Sequence, residues 1–224
     1  MKKAVVLLSG GLDSAVTLYY ARDKGYDCHA VMFDYGQRHG RELLCAEKIA
    51  KACGASIKLV RLELPWKGSS LVDDKAPIPS GRSSREIKEG GIPSTYVPAR
   101  NTIFLSIAAS YAESIRASAI FIGAHTEDSS GYPDCRAEYL ESFGKVVATG
   151  TKLGLENKLK LEFPLIRKKK AEIIELGRGL GVPFENTWSC YKGADGPCGT
   201  CDSCVLRAKG FKEAGMEDPA VERT

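Results

Sequence analysis

Six residues near the beginning of the chain, Ser9-Gly10-Gly11-Leu12-Asp13-Ser14, combine side chains that can hold a phosphate group. They follow an apolar run, residues 4–8, that is typical of a buried strand, and residues 12–22 have the pattern of a helix. The glycines allow a tight turn and a close approach of the backbone to a ligand. The helix N-terminus offers free N–H groups and the positive end of its dipole. The serine hydroxyls add donors, and Asp13 can hold a magnesium ion.

This loop lacks the Gly-Lys-Ser/Thr sequence of a P-loop. Ser-Gly-Gly-x-Asp-Ser after a first strand instead resembles the signature of the pyrophosphate-loop ATPases. The resemblance implies attack at the α-phosphate of ATP, transfer of AMP and release of pyrophosphate. The alternative is a glycine turn that only packs a helix on a strand, and the two serines argue against it. The predicted nucleotide-binding residues are Leu8, Ser9, Gly10, Gly11, Leu12, Asp13, Ser14 and Ala15.

Four of the eight cysteines lie close together near the end of the sequence. Their spacing, Cys190-x7-Cys198-x2-Cys201-x2-Cys204, suits a tetrahedral zinc ion bound by loops. Four thiolates leave no open position on zinc, so we expect one structural ion per chain. An iron–sulfur cluster, which also takes four cysteines, and free structural thiols are the alternatives.

The rest of the sequence alternates between strand and helix patterns. Strands at this spacing predict an α/β fold with a doubly wound, Rossmann-like parallel sheet and a small C-terminal zinc-binding segment. Asn101 is the expected N-cap of a long apolar helix, and Gly54 is the expected C-cap of an earlier one. Strands are predicted at residues 4–8, 29–34, 56–61, 119–123 and 159–163, and helices at 12–22, 38–53, 102–116, 136–152 and 168–180.

Residues 62–99 interrupt this alternation with many prolines and glycines. A long loop in a compact domain is usually a lid, a binding loop or an interface arm. We favour a lid or arm, because the segment leads into the polar motif Tyr96–Asn101; a tolerated disordered insertion is the alternative. The expected division is an ATP pyrophosphatase domain over residues 1–183 and a zinc-binding subdomain over 184–224.

Polar residues collect where the predicted strands end. In open parallel sheets the ligand binds at the carboxyl ends of the strands, where the strand order reverses. We therefore predict that these polar stretches converge on one site. They are residues 9–14 after the first strand, residues 34–38 after the second, His125, Glu127 and Asp128 after the fourth, and residues 132–136 just beyond.

Composition and charge are typical of an ordinary globular protein. The 224 residues are 43% hydrophobic and 27% charged. The net charge of +4 is too small to indicate nucleic-acid binding by itself. The apolar run before Ser9 is only five residues long, too short for a signal peptide, and no segment approaches the length of a membrane span. We therefore expect a cytoplasmic protein with no membrane or nucleic-acid partner.

Taken together, the motifs resemble those of the 7-cyano-7-deazaguanine synthases, ATP-dependent enzymes of the queuosine and archaeosine precursor pathway. They follow one another in order over almost the whole chain, and the cysteines make the set more specific than the first motif alone. His125 stands where the family varies, so it is given no catalytic role. The matching stretches are Ser9–Ser14, Phe33–His39, Tyr96–Asn101, Ser130–Arg136, Pro164-Leu165, Lys170–Ile173, Cys190-Tyr191 and Cys198–Cys204.

The resemblance implies conversion of 7-carboxy-7-deazaguanine and ammonia to a nitrile, with two ATP, Mg²⁺ and zinc, by a homodimer. Adenylation of the carboxylate supplies AMP as a leaving group, and ammonia then gives an amide. A second adenylation, on the amide oxygen, leads to the nitrile. We expect free ammonia as the nitrogen source, because no domain for glutamine hydrolysis is evident in the sequence.

The same resemblance suggests roles for individual residues. The catalytic candidates are Asp13, which handles the phosphates with magnesium, and Arg100 and Lys170, which neutralise developing charge. Tyr132 or Tyr96 is expected to stack on the deazapurine, and Asp134 to accept from its guanine-like N–H edge. Packed tyrosines and structural ion pairs are the alternatives. The substrate-binding candidates are Tyr96, Arg100, Asp128, Tyr132 and Asp134.

Two other functions stay open from the sequence. Another pyrophosphate-loop enzyme, acting on tRNA by thiolation or lysidine formation, would share the first motif but usually carries extra tRNA-binding domains. A zinc-ribbon module that binds nucleic acid would need basic and aromatic residues around the cysteines. Such residues are present, but neighbouring acidic side chains offset their charge.

Overall fold

The computed structural model describes residues 1–38, 40–73, 75–125, 131–193 and 196–220, and in these ranges five parallel strands form one sheet. β1 (Lys2–Leu7) lies at the centre and pairs with β2 (Tyr26–Asp34) and β4 (Ala119–Phe121). β3 (Ser56–Arg61) and β5 (Lys160–Glu162) are the edges, so the order is β3-β2-β1-β4-β5. The predicted doubly wound parallel sheet is confirmed, and its strand order reverses between β1 and β4.

Helices cover both faces of this sheet. The helices in the described ranges are α1 (Leu12–Asp23), α2 (Arg41–Cys53), α3 (Ser84–Glu89), α4 (Arg100–Ser114), α5 (Ala137–Gly150), α6 (Lys152–Leu155), α7 (Lys170–Gly179) and α8 (Asp202–Glu213). α1, α2, α7 and α8 bury apolar side chains on one face, while α4 and α5 do so on the other. None of these helices is both long and apolar enough to cross a membrane.

The two hydrophobic layers follow from the alternation of side chains along β1 and the residue after it, Leu8. Val6 and Leu8 point into the layer below α1 and α2, whereas Val5 and Leu7 point into the layer below α4 and α5. All four are buried, which explains why this strand is an unbroken apolar run in the sequence. The strand therefore delivers the loop that follows it to the middle of the sheet's carboxyl edge.

The helix that follows the second strand begins later than predicted. α2 begins at Arg41 and not at residue 38. The preceding residues are held in a turn instead: the Gln37 side chain accepts a hydrogen bond from the Tyr35 N–H at 2.9 Å. The Arg38 N–H donates to the Leu71 carbonyl at 3.1 Å. Gly54 ends α2 in the left-handed conformation, with φ 71°, as predicted.

The prediction that Asn101 caps a helix is wrong. α4 begins two residues earlier than predicted, at Arg100, and Ala99 occupies the cap position in the left-handed conformation with φ 53°. The Asn101 N–H donates to the Asp134 carboxylate at 2.9 Å. A carboxylate from a distant segment thus satisfies the N-terminus of α4, and no local pattern could show this acceptor.

Residues 62–99 are partly helical and pack against the cysteine-containing segment. α3 begins with a capping box between Ser83 and Glu86. The Gly81 N–H donates to the Thr200 carbonyl at 2.9 Å, and Ser80 forms an isolated antiparallel bridge with Cys201. Next to this bridge, Arg82 forms an ion pair with Asp202 of α8. The insertion is therefore fastened to the segment that carries the clustered cysteines.

The packing of α7 on α1 requires a residue without a side chain. A Cβ at Gly177 would lie 2.5 Å from Cζ of Phe184 and 2.8 Å from Cγ2 of Val16. Both neighbours are buried, so neither can move aside freely. This close contact sets the distance between α1 and α7, whose N-terminal ends both reach the carboxyl edge of the sheet.

We expect Gly177→Ala to lower the free energy of unfolding by about 1–3 kcal/mol, because the added methyl overpacks the core. Gly179→Ala, in the same helix, is the matched control: a Cβ there meets nothing within 4 Å. That change should leave stability the same or raise it slightly, because alanine favours the helix. Urea unfolding followed by circular dichroism measures both, and equal effects of the two substitutions would contradict the packing argument.

Candidate functional site

A pocket of about 280 Å³ opens at the carboxyl ends of β1, β2 and β4. Its lining brings together stretches that lie far apart in the sequence, as predicted from the ends of the strands. Most of the predicted nucleotide loop reaches it, together with three other candidate site residues. The predicted residues in the lining are Leu8, Ser9, Gly11, Leu12, Asp13, Ser14, Arg100, Tyr132 and Lys170.

The loop after β1 is held in one shape by its own hydrogen bonds. The Ser9 and Ser14 hydroxyl oxygens are 3.0 Å apart, and the Ser14 hydroxyl donates to the Gly11 carbonyl at 3.0 Å. Gly10 has φ 88°, and a Cβ there would fall on the backbone carbonyl of Glu42. The loop therefore requires glycine at this position, both for its conformation and for its contact with α2.

Asp13 and Lys170 form an ion pair at the edge of the pocket. The Lys170 ammonium donates to both carboxylate oxygens of Asp13, at 3.1 and 3.0 Å. Lys170 is the first residue of α7 and is buried, and Nε2 of His125 lies 3.6 Å from the same carboxylate. The structure thus places two of the three predicted catalytic side chains in direct contact.

Close packing fixes the position of Asp13. A Cβ at Gly123, just after β4, would lie 2.8 Å from the Asp13 carbonyl oxygen and 2.8 Å from Oγ1 of Thr17. The first turn of α1 therefore lies directly on the end of β4. Asp13 can face the pocket because this strand end carries no side chain.

Arg100, the third predicted catalytic residue, lies in a wall of aromatic rings. Its guanidinium donates to the Tyr35 hydroxyl at 2.9 Å and lies 5.6 Å from the centre of the Tyr35 ring. The Tyr132 hydroxyl is 2.5 Å from Oγ1 of Thr95, in the insertion. Burial raises the pKa values of Tyr35 and Tyr132, although Arg100 acts in the opposite direction. Both phenols therefore stay uncharged at neutral pH, and Arg100 supplies the positive charge.

Two predicted substrate-binding residues lie outside the pocket lining, and the position of a third is not described. Among the described residues, Tyr96 and Asp134 are not part of the pocket lining, and Asp128 lies outside the described residues. The Tyr96 hydroxyl accepts from the Ala99 N–H at 3.0 Å. The Asp134 carboxylate is buried and accepts from the Asn101 N–H at the start of α4. These contacts give both side chains a role in holding the helix that positions Arg100.

The lining also contains residues that the sequence did not single out, above all Glu42 and Trp188. Burial raises the pKa of Glu42 to about 7, and Arg100 acts in the opposite direction. The buried Trp188 donates its backbone N–H to the Gly10 carbonyl at 2.9 Å, and the Arg41 guanidinium lies 4.2 Å from the centre of its ring. Glu42 lies three residues after the Phe33–His39 motif. In an amphipathic helix, however, the sequence does not distinguish a glutamate that lines a pocket from one that faces solvent.

The four clustered cysteines meet in space. Their sulfur atoms all lie within 4.8 Å of one another, so together they could hold a metal ion such as zinc. The N–H groups of Lys192 and Cys198 each approach the Cys190 sulfur at 3.4 Å, and the Cys201 N–H approaches the Cys198 sulfur at 3.3 Å. Donors aimed at sulfur stabilise thiolates, so the surroundings of the cluster fit a bound metal.

Fold and pocket together define an α/β protein of the Rossmann-like class, with its ligand pocket at the point where the strand order reverses. The structure of NMN synthetase from Francisella tularensis is similar over 99% of this chain and 82% of its own, with a TM-score of 0.50. The two sequences are only 15% identical, so this likeness concerns the fold alone.

The chain belongs to the family described as queuosine biosynthesis protein QueC, whose model matches residues 3–215. It is 56% identical to the 7-cyano-7-deazaguanine synthase of Thermoplasma acidophilum, over 97% of this chain and 91% of the relative. It is 53% identical to the Nostoc punctiforme enzyme of the same name, over 98% of this chain and 99% of the relative. The predicted family is confirmed, and these relatives favour it over the tRNA-modifying and zinc-ribbon alternatives.

We expect the purified protein to contain one zinc ion per chain, and Cys201→Ala to lose it. Because four ligands close a structural site, the loss should also lower the melting temperature. Cys45→Ala is the matched control, since Cys45 packs against the cluster without belonging to it. Elemental analysis and thermal unfolding measure both effects. A stable, metal-free wild-type protein would rule out the zinc site, and iron with acid-labile sulfide would indicate a cluster.

Proposed function

We propose that this protein converts 7-carboxy-7-deazaguanine and ammonia to 7-cyano-7-deazaguanine, with two ATP cleaved to AMP and pyrophosphate. Its relatives carry the name 7-cyano-7-deazaguanine synthase over nearly the full length of the chain. The observation that carries the proposal is the shared pocket: the Ser9–Ser14 loop and the partly buried Arg100 line the same cavity. A nucleotide and a carboxylic acid can therefore meet there.

In this proposal the loop after β1 binds the phosphates of ATP. The backbone N–H groups at the start of α1 can donate to an anion, and Ser9 and Ser14, whose hydroxyls bond to each other, lie in the same lining. Magnesium, when bound, shields the phosphate charge, and the Asp13 carboxylate is the oxygen ligand that the loop offers for it. Lys170, already paired with Asp13, adds a positive charge where pyrophosphate leaves.

The part of the pocket around Arg100 suits the deazaguanine acid. The Arg100 guanidinium can pair with the substrate carboxylate, and the Tyr35 and Tyr132 rings offer flat apolar surfaces beside it. Attack of the carboxylate oxygen on the α-phosphate gives the acyl adenylate. Ammonia then forms the C–N bond of the amide and releases AMP. A second adenylation on the amide oxygen, with loss of two N–H protons and AMP, leaves the nitrile.

The cysteine cluster has a structural role in this scheme, with zinc held by Cys190, Cys198, Cys201 and Cys204. The cluster lies next to Trp188, which packs on the nucleotide loop, and to the bridge between Ser80 and Cys201. Zinc would therefore hold the subdomain, residues 184–224, and the lid, residues 62–99, against the pocket.

Asp13→Ala should abolish pyrophosphate release while the fold survives, because the Asp13 side chain faces the pocket and not the hydrophobic core. Asp23→Ala, at the other, exposed end of α1, should retain wild-type activity. Pyrophosphate release with both substrates measures activity, and circular dichroism confirms folding. Normal turnover by the Asp13 variant would exclude the proposed phosphate site.

The amide, 7-amido-7-deazaguanine, should be a competent intermediate if one site performs both activations. With ATP and no ammonia, it should yield the nitrile together with AMP and pyrophosphate in equal amounts. Starting from the acid and ammonia, two AMP should appear for each nitrile. Chromatographic quantification of nucleotides and nitrile tests both ratios. An inert amide would refute the shared site, and a reaction that stops at the amide would make this protein an ordinary amide ligase.

A further inference from the structure

Glu42 is an acidic residue in the pocket lining that the scheme above does not use. It belongs to the first turn of α2, and its backbone carbonyl lies against Gly10. Among the described residues, its carboxylate has neither a hydrogen bond nor an ion pair. The nearby cations have other acceptors, since Arg100 donates to Tyr35 and Lys170 donates to Asp13. Glu42 is partly buried in the pocket wall, and a carboxylate there without a hydrogen-bond partner is costly, so the site favours a cationic ligand that can donate to it.

The surroundings of Glu42 indicate what kind of cation would fit. The pocket that Glu42 lines contains several aromatic side chains, among them Tyr35, Phe104 and Trp188. Aromatic faces and one carboxylate suit a small cation that carries N–H donors, whereas magnesium prefers several oxygen ligands. Ammonium has this chemistry, and the proposed reaction consumes the nitrogen of ammonia.

We propose that the Glu42 carboxylate binds the ammonium ion that supplies the nitrile nitrogen and accepts a proton from it. The inference rests on the proposed function, because it assigns a place to the second substrate of that reaction. Glu42 of α2 would then be a catalytic residue, and it would form a subsite for ammonium beside the nucleotide loop.

In the amide-forming step, ammonium loses two protons and the acyl adenylate loses AMP. One ammonium proton passes to the Glu42 carboxylate, and the lone pair that it leaves forms the bond to the carbonyl carbon of the acyl adenylate. The bond from this carbon to the AMP oxygen breaks, and AMP leaves with the electron pair. A second proton leaves the nitrogen for solvent as the amide forms. The pKa of Glu42, which burial raises to about 7, brings its basicity closer to that of ammonia and so assists the transfer.

Glu42→Gln tests the proposal, because glutamine keeps the shape and the backbone contact with Gly10 but removes the negative charge. We expect the KM for ammonium in the acid-to-nitrile reaction to rise roughly 10- to 100-fold, the loss typical of a hydrogen bond to a charged group. The amide-to-nitrile reaction, which needs no ammonia, should proceed at the wild-type rate. The KM for magnesium should also be unchanged. Glu47→Gln, on the same helix but partly exposed and paired with Lys51, is the matched control and should change none of these values.

Hydroxylamine, used as the nucleophile in place of ammonium, distinguishes a loss of cation binding from general damage to the pocket. It is largely uncharged at neutral pH and needs no deprotonation before it attacks the acyl adenylate to give a hydroxamic acid. The Glu42→Gln enzyme should use hydroxylamine as efficiently as wild type. Equal losses with ammonium, hydroxylamine and the amide would overturn the proposal and give Glu42 a structural role. An increase in the magnesium KM would make it a metal ligand instead. If wild-type enzyme forms no nitrile from the acid, the proposed function itself fails.

Discussion

The turn at Gly10 is the constraint on which the site depends. Its backbone has φ 88° and lies directly against the Glu42 carbonyl, so β1, α1 and α2 meet where no Cβ fits. The turn carries the chain from the central strand into α1, and Asp13 then faces the pocket. The same contact brings the first turn of α2 to the pocket wall. A side chain at position 10 would force these three elements apart, and the phosphate loop would lose its shape.

Charge in the pocket is arranged by helix ends that pack closely on the sheet. Lys170 begins α7 and reaches Asp13 because Gly177 allows α7 to lie against α1. Arg100 begins α4, whose N-terminus is held by the Asp134 carboxylate. Each cation therefore stands at the start of a helix, where the positive end of the helix dipole adds to its field. Such a pocket suits substrates that carry phosphate and carboxylate groups.

The cysteine segment connects distant parts of the chain to the pocket. It follows Trp188, which donates to the Gly10 carbonyl, and it is bridged to the insertion through Ser80 and Cys201. The insertion in turn supplies Thr95, which contacts the Tyr132 hydroxyl. A metal that fixes the four sulfurs would therefore stabilise two walls of the pocket without touching a substrate.

The sequence by itself determined the parallel α/β fold, the loop after β1, the cysteine cluster and the family, because short-range patterns specify each of them. Apolar runs, glycine turns and cysteine spacing act within a few residues. Only the tertiary structure decided that Asp134 caps α4 instead of lining the pocket, that Lys170 pairs with Asp13, and that Glu42 enters the wall. These outcomes depend on which helix ends meet at the edge of the sheet. That meeting is set by packing between segments far apart in the chain, which no local pattern encodes.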